Sequence, residues 1–217
     1  MLQQILNELY PAKATLIAVS KTKPPEKIME LYNQGQRDFG ENRVQELVQK
    51  QRQLPEDINW HLIGHLQTNK VKQVINIVHL IHSVDSPRLL KEINKQAEKT
   101  GRPAACLLQF KIAKEESKYG FDLNSAVEML ESEPFKNYHH IQISGVMGMA
   151  TFTDDMAQVR LEFRQLKNIF DQLKTRYFQN DERFREISMG MSGDYKIALE
   201  EGSTMVRIGS LIFGPRN

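Results

Sequence analysis

At 217 residues the chain has room for one sizeable core or two small domains. Its 40% hydrophobic and 26% charged residues are an ordinary globular balance, and a net charge of +2 is too small to make nucleic acid or an anionic membrane its main partner. No run of 18 apolar residues occurs, so nothing in the sequence reads as a membrane span. The lone cysteine, Cys106, sits in the apolar run Ala104–Leu108, which rules out an intrachain disulfide and fits a reducing compartment. Met1–Tyr10 has neither the basic start nor the long apolar stretch of a secretory signal, so the expected location is cytoplasmic.

Leu2, Ile5, Leu6 and Leu9 share one helical face, so residues 2–10 open the chain as a helix. A buried strand follows at 16–21, stopped by Pro24-Pro25. Pro25 starts a helix that Gly35 closes. Phe39-Gly40 marks a short second strand, and 41–53 reads as helix with Val44, Leu47 and Val48 on one side. Strand three is Trp60–Gly64, a short helix spans 69–76, and strand four is Val78–Ser83. Ser86 and Pro87 supply the cap and first position of the next helix. Strand five is 105–112, helix 123–130 follows, and strand six is 141–147. A long amphipathic helix covers 154–174, strand seven 186–190, a short helix 195–200, and strand eight 205–213.

Eight alternations of strand and helix imply a parallel sheet with helices outside it. In a chain of this length they predict a (β/α)8 TIM barrel over residues 1–217, with an additional N-terminal helix. A doubly wound open sheet is the alternative. It would carry a glycine-rich fingerprint after its first strand, and Ser20-Lys-Thr-Lys-Pro24 is unlike one.

In such a barrel the chemistry collects at the C-terminal ends of the strands, with phosphate sites often after strands seven and eight. Strand one ends at Lys21, with Lys23 two residues on. The plain reading is that both lysines reach solvent; the chemical one is a reactive amine able to form a Schiff base. Strand seven runs into Ser188-Met-Gly-Met-Ser-Gly-Asp194, where Gly190 and Gly193 allow close backbone approach and Ser188 and Ser192 can donate. Ser192 or Asp194 also reads as the cap of the following helix. In strand eight, Arg207 interrupts an apolar run that leads to Gly209 and Ser210, and a buried arginine must find acceptors. A lysine, a hydroxyl- and glycine-rich cradle and an inward arginine together suit a phosphorylated aldehyde, pyridoxal phosphate. Other candidates read as structural. His61 and His65 lack a third metal ligand of convincing spacing, and His79 and His82 fall on opposite faces of a regular strand. Lys111 and Lys114, with Glu115 and Glu116, read as a solvated rim.

The stretches Ala18-Val-Ser-Lys-Thr-Lys-Pro24, Phe39-Gly-Glu-Asn-Arg-Val-Gln-Glu46, Trp60–Lys70, Ser188-Met-Gly-Met-Ser192 and Gly202–Ser210 together resemble the pyridoxal phosphate homeostasis protein family, whose fold is that of the alanine racemase N-terminal barrel. The resemblance covers nearly the whole chain. It implies that Lys21 carries pyridoxal 5'-phosphate as a Schiff base. It implies phosphate contacts from Ser188, Gly209 and Ser210, with Met189 and Gly190 shaping the site. Arg207 then faces the pyridine nitrogen, Asn42 is the pocket asparagine, and Lys118 lies near the pocket. Met147, at the end of strand six, could pack on the ring.

Three functions compete. The first is a non-catalytic or barely catalytic binder in vitamin B6 homeostasis, which holds the cofactor and leaves apo-enzymes to receive it. The second is a pyridoxal phosphate-dependent amino-acid racemase. Racemisation needs a base on each face of the substrate carbon. In two-domain racemases the second base comes from beyond the barrel, and here the sequence stops a few residues after strand eight. The third is a regulatory module for other proteins, for which no apolar stripe or basic patch speaks.

Overall fold

The computed structural model describes residues 1–114 and 119–214. Eight parallel strands close on themselves in sequence order, with β8 returning to β1. They are β1 (Thr15–Val19), β2 (Asp38–Glu41), β3 (Asn59–Leu62), β4 (Val78–Val84), β5 (Ala104–Phe110), β6 (Ile141–Gly148), β7 (Glu186–Met191) and β8 (Met205–Ile208). The helices are α1 (Leu2–Leu9), α2 (Pro25–Tyr32), α3 (Val44–Gln51), α4 (Val71–Val74), α5 (Pro87–Glu98), α6 (Leu123–Glu131), α7 (Glu133–Lys136), α8 (Met156–Tyr177), α9 (Tyr195–Glu200) and α10 (Ser210–Phe213). This is the expected TIM barrel with its N-terminal helix.

Strand parity divides the core in two. Leu16, Ala18, Val206 and Ile208 face outward into the layer between sheet and helices, which also takes the apolar sides of α5 and α8. Ile17, Leu80, Leu107, Met147 and Met205 face inward and fill part of the barrel. Ile17 pairs with Arg207 across the β1–β8 seam, so Arg207 sits at an inward position. Strand β6 approaches β7 closely at Gly145. A Cβ there would lie 1.8 Å from the Glu186 carbonyl oxygen, and the backbone has φ +150°, so only glycine closes this seam.

Several boundaries differ from expectation. Strand β1 ends at Val19, which leaves Lys21 on the turn above the barrel. The segment read as helix from residue 41 begins helically only at Val44, because Glu41 completes β2 and is buried. Strand β8 ends at Ile208, and Ser210–Phe213 turns into the short helix α10 instead of extending the strand. The turn occurs at Gly209, where a Cβ would stand 3.2 Å from the Val19 carbonyl oxygen. Helix α7 was not expected. It follows a Ser132 cap with proline in its first turn, a start signal present in Ser132-Glu-Pro134. Ser86 caps α5 as expected, accepting from the Leu89 N–H.

Candidate active site

A cavity of about 510 Å³ opens at the C-terminal ends of the strands. Lys21, Asn42, Arg207, Gly209 and Ser210 all line it, together with Ser192. Residues from the ends of β1, β2, β7 and β8 thus converge on one volume, of the size that takes a small cofactor.

The turn that carries Lys21 is held from below by a buried ionic cluster. Lys50, on α3, donates to the Glu41 and Glu46 carboxylates at 2.7 Å each and to the Ser20 carbonyl at 2.8 Å. The Ser20 hydroxyl donates to the same Glu41 oxygen at 2.6 Å. Glu46 also accepts the Thr22 N–H at 2.5 Å. Thr22 has φ +65°, a left-handed conformation that a β-branched residue rarely adopts, so this bond pins a strained turn. Residues on both sides of Lys21 are therefore fixed through the Lys50 cluster. Burial pushes the Glu41 carboxyl above its ordinary range, and Lys50 opposes that shift.

Beside Lys21, Asn42 presents a buried Oδ1 that has no hydrogen-bond partner among the described residues. A buried acceptor in this state calls for a donor from whatever occupies the cavity. The opposite wall is the segment after β6. Glu162, buried on α8, accepts both the Thr151 N–H at 2.6 Å and the Thr151 hydroxyl at 2.7 Å, and so fixes the lining residue Thr151.

Arg207 forms part of the floor. Its Nη1 donates to the Ser188 hydroxyl at 2.6 Å and its Nη2 to the Gly148 carbonyl at 3.0 Å. Burial lowers its pKa to about 10, so it stays cationic at neutral pH. The wall above is made by Ser192, whose hydroxyl accepts the Gly209 N–H at 3.4 Å, and by Gly193, where added side-chain atoms would meet open space.

The remaining expected site residues lie elsewhere. Ser188 is fully buried beneath the cavity, bonded to Arg207 and to His82, so Ser192 and not Ser188 presents a hydroxyl to the cavity from this segment. Met189 faces the helix layer. Gly190, with φ +93°, gives room to α9: a Cβ there would come within 2.6 Å of the Ala198 Cβ. Met147 belongs to the inner barrel core. Lys118, Glu115 and Glu116 lie outside the described residues. Asp194 precedes α9 without capping it; its carboxylate accepts the Met191 N–H instead. Of the histidines read as structural or rim residues, His65 is exposed and bonded to Asp85 at 2.9 Å. His61 and His82 are buried and bonded to each other at 2.8 Å, while His79 is exposed. His79 and His82 were expected on opposite faces of β4, yet both rings approach His61, with centroids 5.4 and 5.1 Å away. No group of three or more potential metal ligands occurs among the described residues.

A family model described as "Alanine racemase, N-terminal domain" matches residues 2–217. A pyridoxal phosphate homeostasis protein of Aquifex aeolicus is 40% identical over 204 residues, covering 94% of this chain and 87% of its own. The protein of the same name from Homo sapiens is 36% identical over 220 residues, covering 97% of this chain and 79% of its own. The structure of PipY from Synechococcus elongatus with pyridoxal phosphate bound superimposes with a TM-score of 0.88 at 36% identity, covering 98% of both chains. An alanine racemase of Clostridium difficile is 13% identical with a TM-score of 0.71, over 97% of this chain and 55% of its own, a likeness of fold alone.

The Lys50 cluster makes a pH-dependent prediction. Lys50→Met leaves the Glu41 carboxylate buried without its cation, a loss of about 3–5 kcal/mol at neutral pH. The folded pKa of Glu41 then rises further above its unfolded value. A raised carboxyl pKa contributes stability that is present below the unfolded pKa and disappears as pH rises through the folded one. The deficit of the variant is therefore smaller at pH 5 than at pH 8 in urea denaturation. An equal deficit at both pH values would contradict the assignment.

Proposed function

We propose, since the chain belongs to the family of pyridoxal phosphate homeostasis proteins, that it binds pyridoxal phosphate at the mouth of the barrel and holds it with little or no turnover. The observation that carries this reading is the convergence of Lys21, Asn42, Arg207 and the Gly209–Ser210 wall on one cavity. When bound, the cofactor supplies an aldehyde, which a lysine amine can capture as a Schiff base with loss of one water.

The residues present fit that group. Lys21 would hold the aldehyde carbon, on a turn fixed from both sides by Ser20 and Thr22. Ser192, Gly209 and Ser210 would hold the phosphate. The orphan Oδ1 of Asn42 would take a donor from the ring side of the cofactor. Arg207 would face the pyridine nitrogen. The choice of Lys21 over Lys23 is supported by position: Lys23 directly precedes Pro24, which takes it further past the end of β1 than Lys21.

Two features support low turnover. A guanidinium that stays charged against the ring nitrogen keeps that nitrogen unprotonated and weakens the ring as an electron sink. Racemisation also needs a second base, and Tyr195 is poorly suited to that role. Its hydroxyl donates to Glu8 at 2.6 Å, and burial together with that bond pushes its pKa up to about 12. It is not among the residues lining the cavity. The racemase alternative needs a second base, and Tyr195 stands outside the cavity that would hold the cofactor. Apo-enzymes that receive the cofactor are the protein partners this reading admits. We assign the role to the cytoplasm; no helix among the described residues is long and apolar enough to cross a membrane.

Borohydride reduction of the holo-protein, which fixes a Schiff base as a secondary amine, followed by peptide mass spectrometry, should place the pyridoxyl group on Lys21. Lys21→Ala should lose the visible absorption band and the adduct while unfolding at the same urea concentration. An adduct on Lys23, or an undiminished band in the variant, would contradict the assignment.

Turnover is measured separately, by deuterium exchange at the alpha carbon and chiral analysis over a panel of L-amino acids. Exchange without inversion fits a single base. Inversion at about 1 per second or faster, an enzyme-like rate, would make the racemase the correct reading.

A further inference from the structure

Arg207 is the upper end of a hydrogen-bond chain that runs through the barrel to its base. Its Nη1 donates to the Ser188 hydroxyl at 2.6 Å. Ser188 Oγ lies 2.9 Å from His82 Nδ1, and His82 Nε2 lies 2.8 Å from His61 Nδ1. His61 Nε2 lies 3.0 Å from the carboxylate of Asp38, the first residue of β2. Five strands contribute one residue each. Ser188, His82, His61 and Arg207 are all buried, and only Asp38 is partly open to solvent.

Taken as one continuous relay, the chain has a direction set by its two ends. A guanidinium can only donate, and a carboxylate can only accept. Ser188 therefore accepts from Arg207 and gives its own proton to His82 Nδ1. His82 must then carry its proton on Nε2 and donate it to His61 Nδ1. His61 in turn carries its proton on Nε2 and donates to Asp38. In that direction both imidazoles are donors through Nε2 and acceptors through Nδ1. Burial holds His82 well below the ordinary histidine range, and the neighbouring His61 and Arg207 add to that, so the neutral form of His82 is the stable one. His79 also faces His61 and Asp38, and Asn59 donates to Asp38 at 3.1 Å; both reinforce the carboxylate as an acceptor.

A barrel interior that served packing alone would continue the apolar filling of Ile17, Leu80, Leu107 and Met205. The polar column instead connects the pocket arginine to the Asp38 carboxylate, in addition to the Asp194 carboxylate that acts on Arg207 from the cavity side. We propose that His82 and His61 are positioning residues for Arg207. Acting through Ser188, they fix its guanidinium edge and hand part of its charge compensation to Asp38 at the opposite end of the barrel. The effect on a bound cofactor rests on the reading of the cavity given above; the chain itself does not.

The first measurement uses the protein without cofactor. Long-range proton–nitrogen NMR correlation of the histidine rings at pH 7 should show both His82 and His61 as neutral Nε2–H tautomers. Asp38→Ala, which removes the terminal acceptor, should move the side-chain Nε–H resonance of Arg207. Asp38→Asn, which keeps an acceptor and removes the charge, should move it less and in the same direction. With pyridoxal phosphate added, Asp38→Ala should weaken retention by about 2- to 30-fold, the range typical of mutations along a coupled network, and shift the absorption band of the bound cofactor. A general loss of packing would not move the band. His82 as an Nδ1–H tautomer or a cation, or an Arg207 resonance unchanged in both Asp38 variants, would overturn the proposal. Failure of the protein to bind the cofactor would overturn the reading of the cavity, and the tautomer and resonance measurements would still decide the chain.

Discussion

A guanidinium sealed inside a barrel cannot shed its charge at neutral pH, so the structure around Arg207 has to bond it. That requirement explains features that packing does not. Ser188 sits at an inward position of β7 with its hydroxyl turned to Arg207 rather than to the cavity. The Gly148 carbonyl at the end of β6 accepts a second N–H. His82 and His61 occupy interior volume that aliphatic side chains fill elsewhere in the same barrel. The cavity above inherits a fixed donor on its floor. Fixed donors aimed at a ligand need no rearrangement when it binds, which is the basis of electrostatic preorganisation.

The second buried ionic group, Glu41 with Lys50, does for the other side of the cavity what the interior chain does for the floor. Its charges lie under the β1–α2 turn, and they hold Ser20 and Thr22 on either side of Lys21. A buried ion pair of this kind is weak evidence for stability and better evidence for a defined conformation. Here the conformation defined is a strained one, with a threonine at positive φ beside the candidate cofactor lysine. Lysine side chains lose much rotamer freedom when held. Fixing the backbone beneath Lys21 reduces the part of that cost that falls on binding.

The barrel was legible in the sequence because its strands are short apolar runs punctuated by proline, glycine and capping residues. Arg207 was legible for the same reason: it breaks such a run. Strand eight was drawn too long because Leu211-Ile-Phe213 continues the apolar pattern, and only the close approach of Gly209 to Val19 shows why the chain turns there. Glu41 looked like the start of a helix, since nothing local marks a glutamate that a lysine nine residues later will bury. Ser188 and Ser192 could not be separated by motif, because the register of β7 against β8 shifts between Ser188 and Met191 and decides which hydroxyl reaches the cavity. Opposite parity did not separate His79 from His82, because both rings approach His61. Their different fates depend on β3, β4 and β7 closing around one axis, which no single stretch of sequence contains.

Arg207 is held from within the barrel by Ser188 and Gly148, at the floor of the cavity proposed for the cofactor. A crystal structure of this protein soaked with pyridoxal phosphate tests that directly. The prediction is that Arg207 keeps its bonds to Ser188 and Gly148, lies against the pyridine nitrogen, and leaves the phosphate to Gly209 and Ser210. A guanidinium bound to the phosphate, or one that has left Ser188 to reach the ligand, would contradict it.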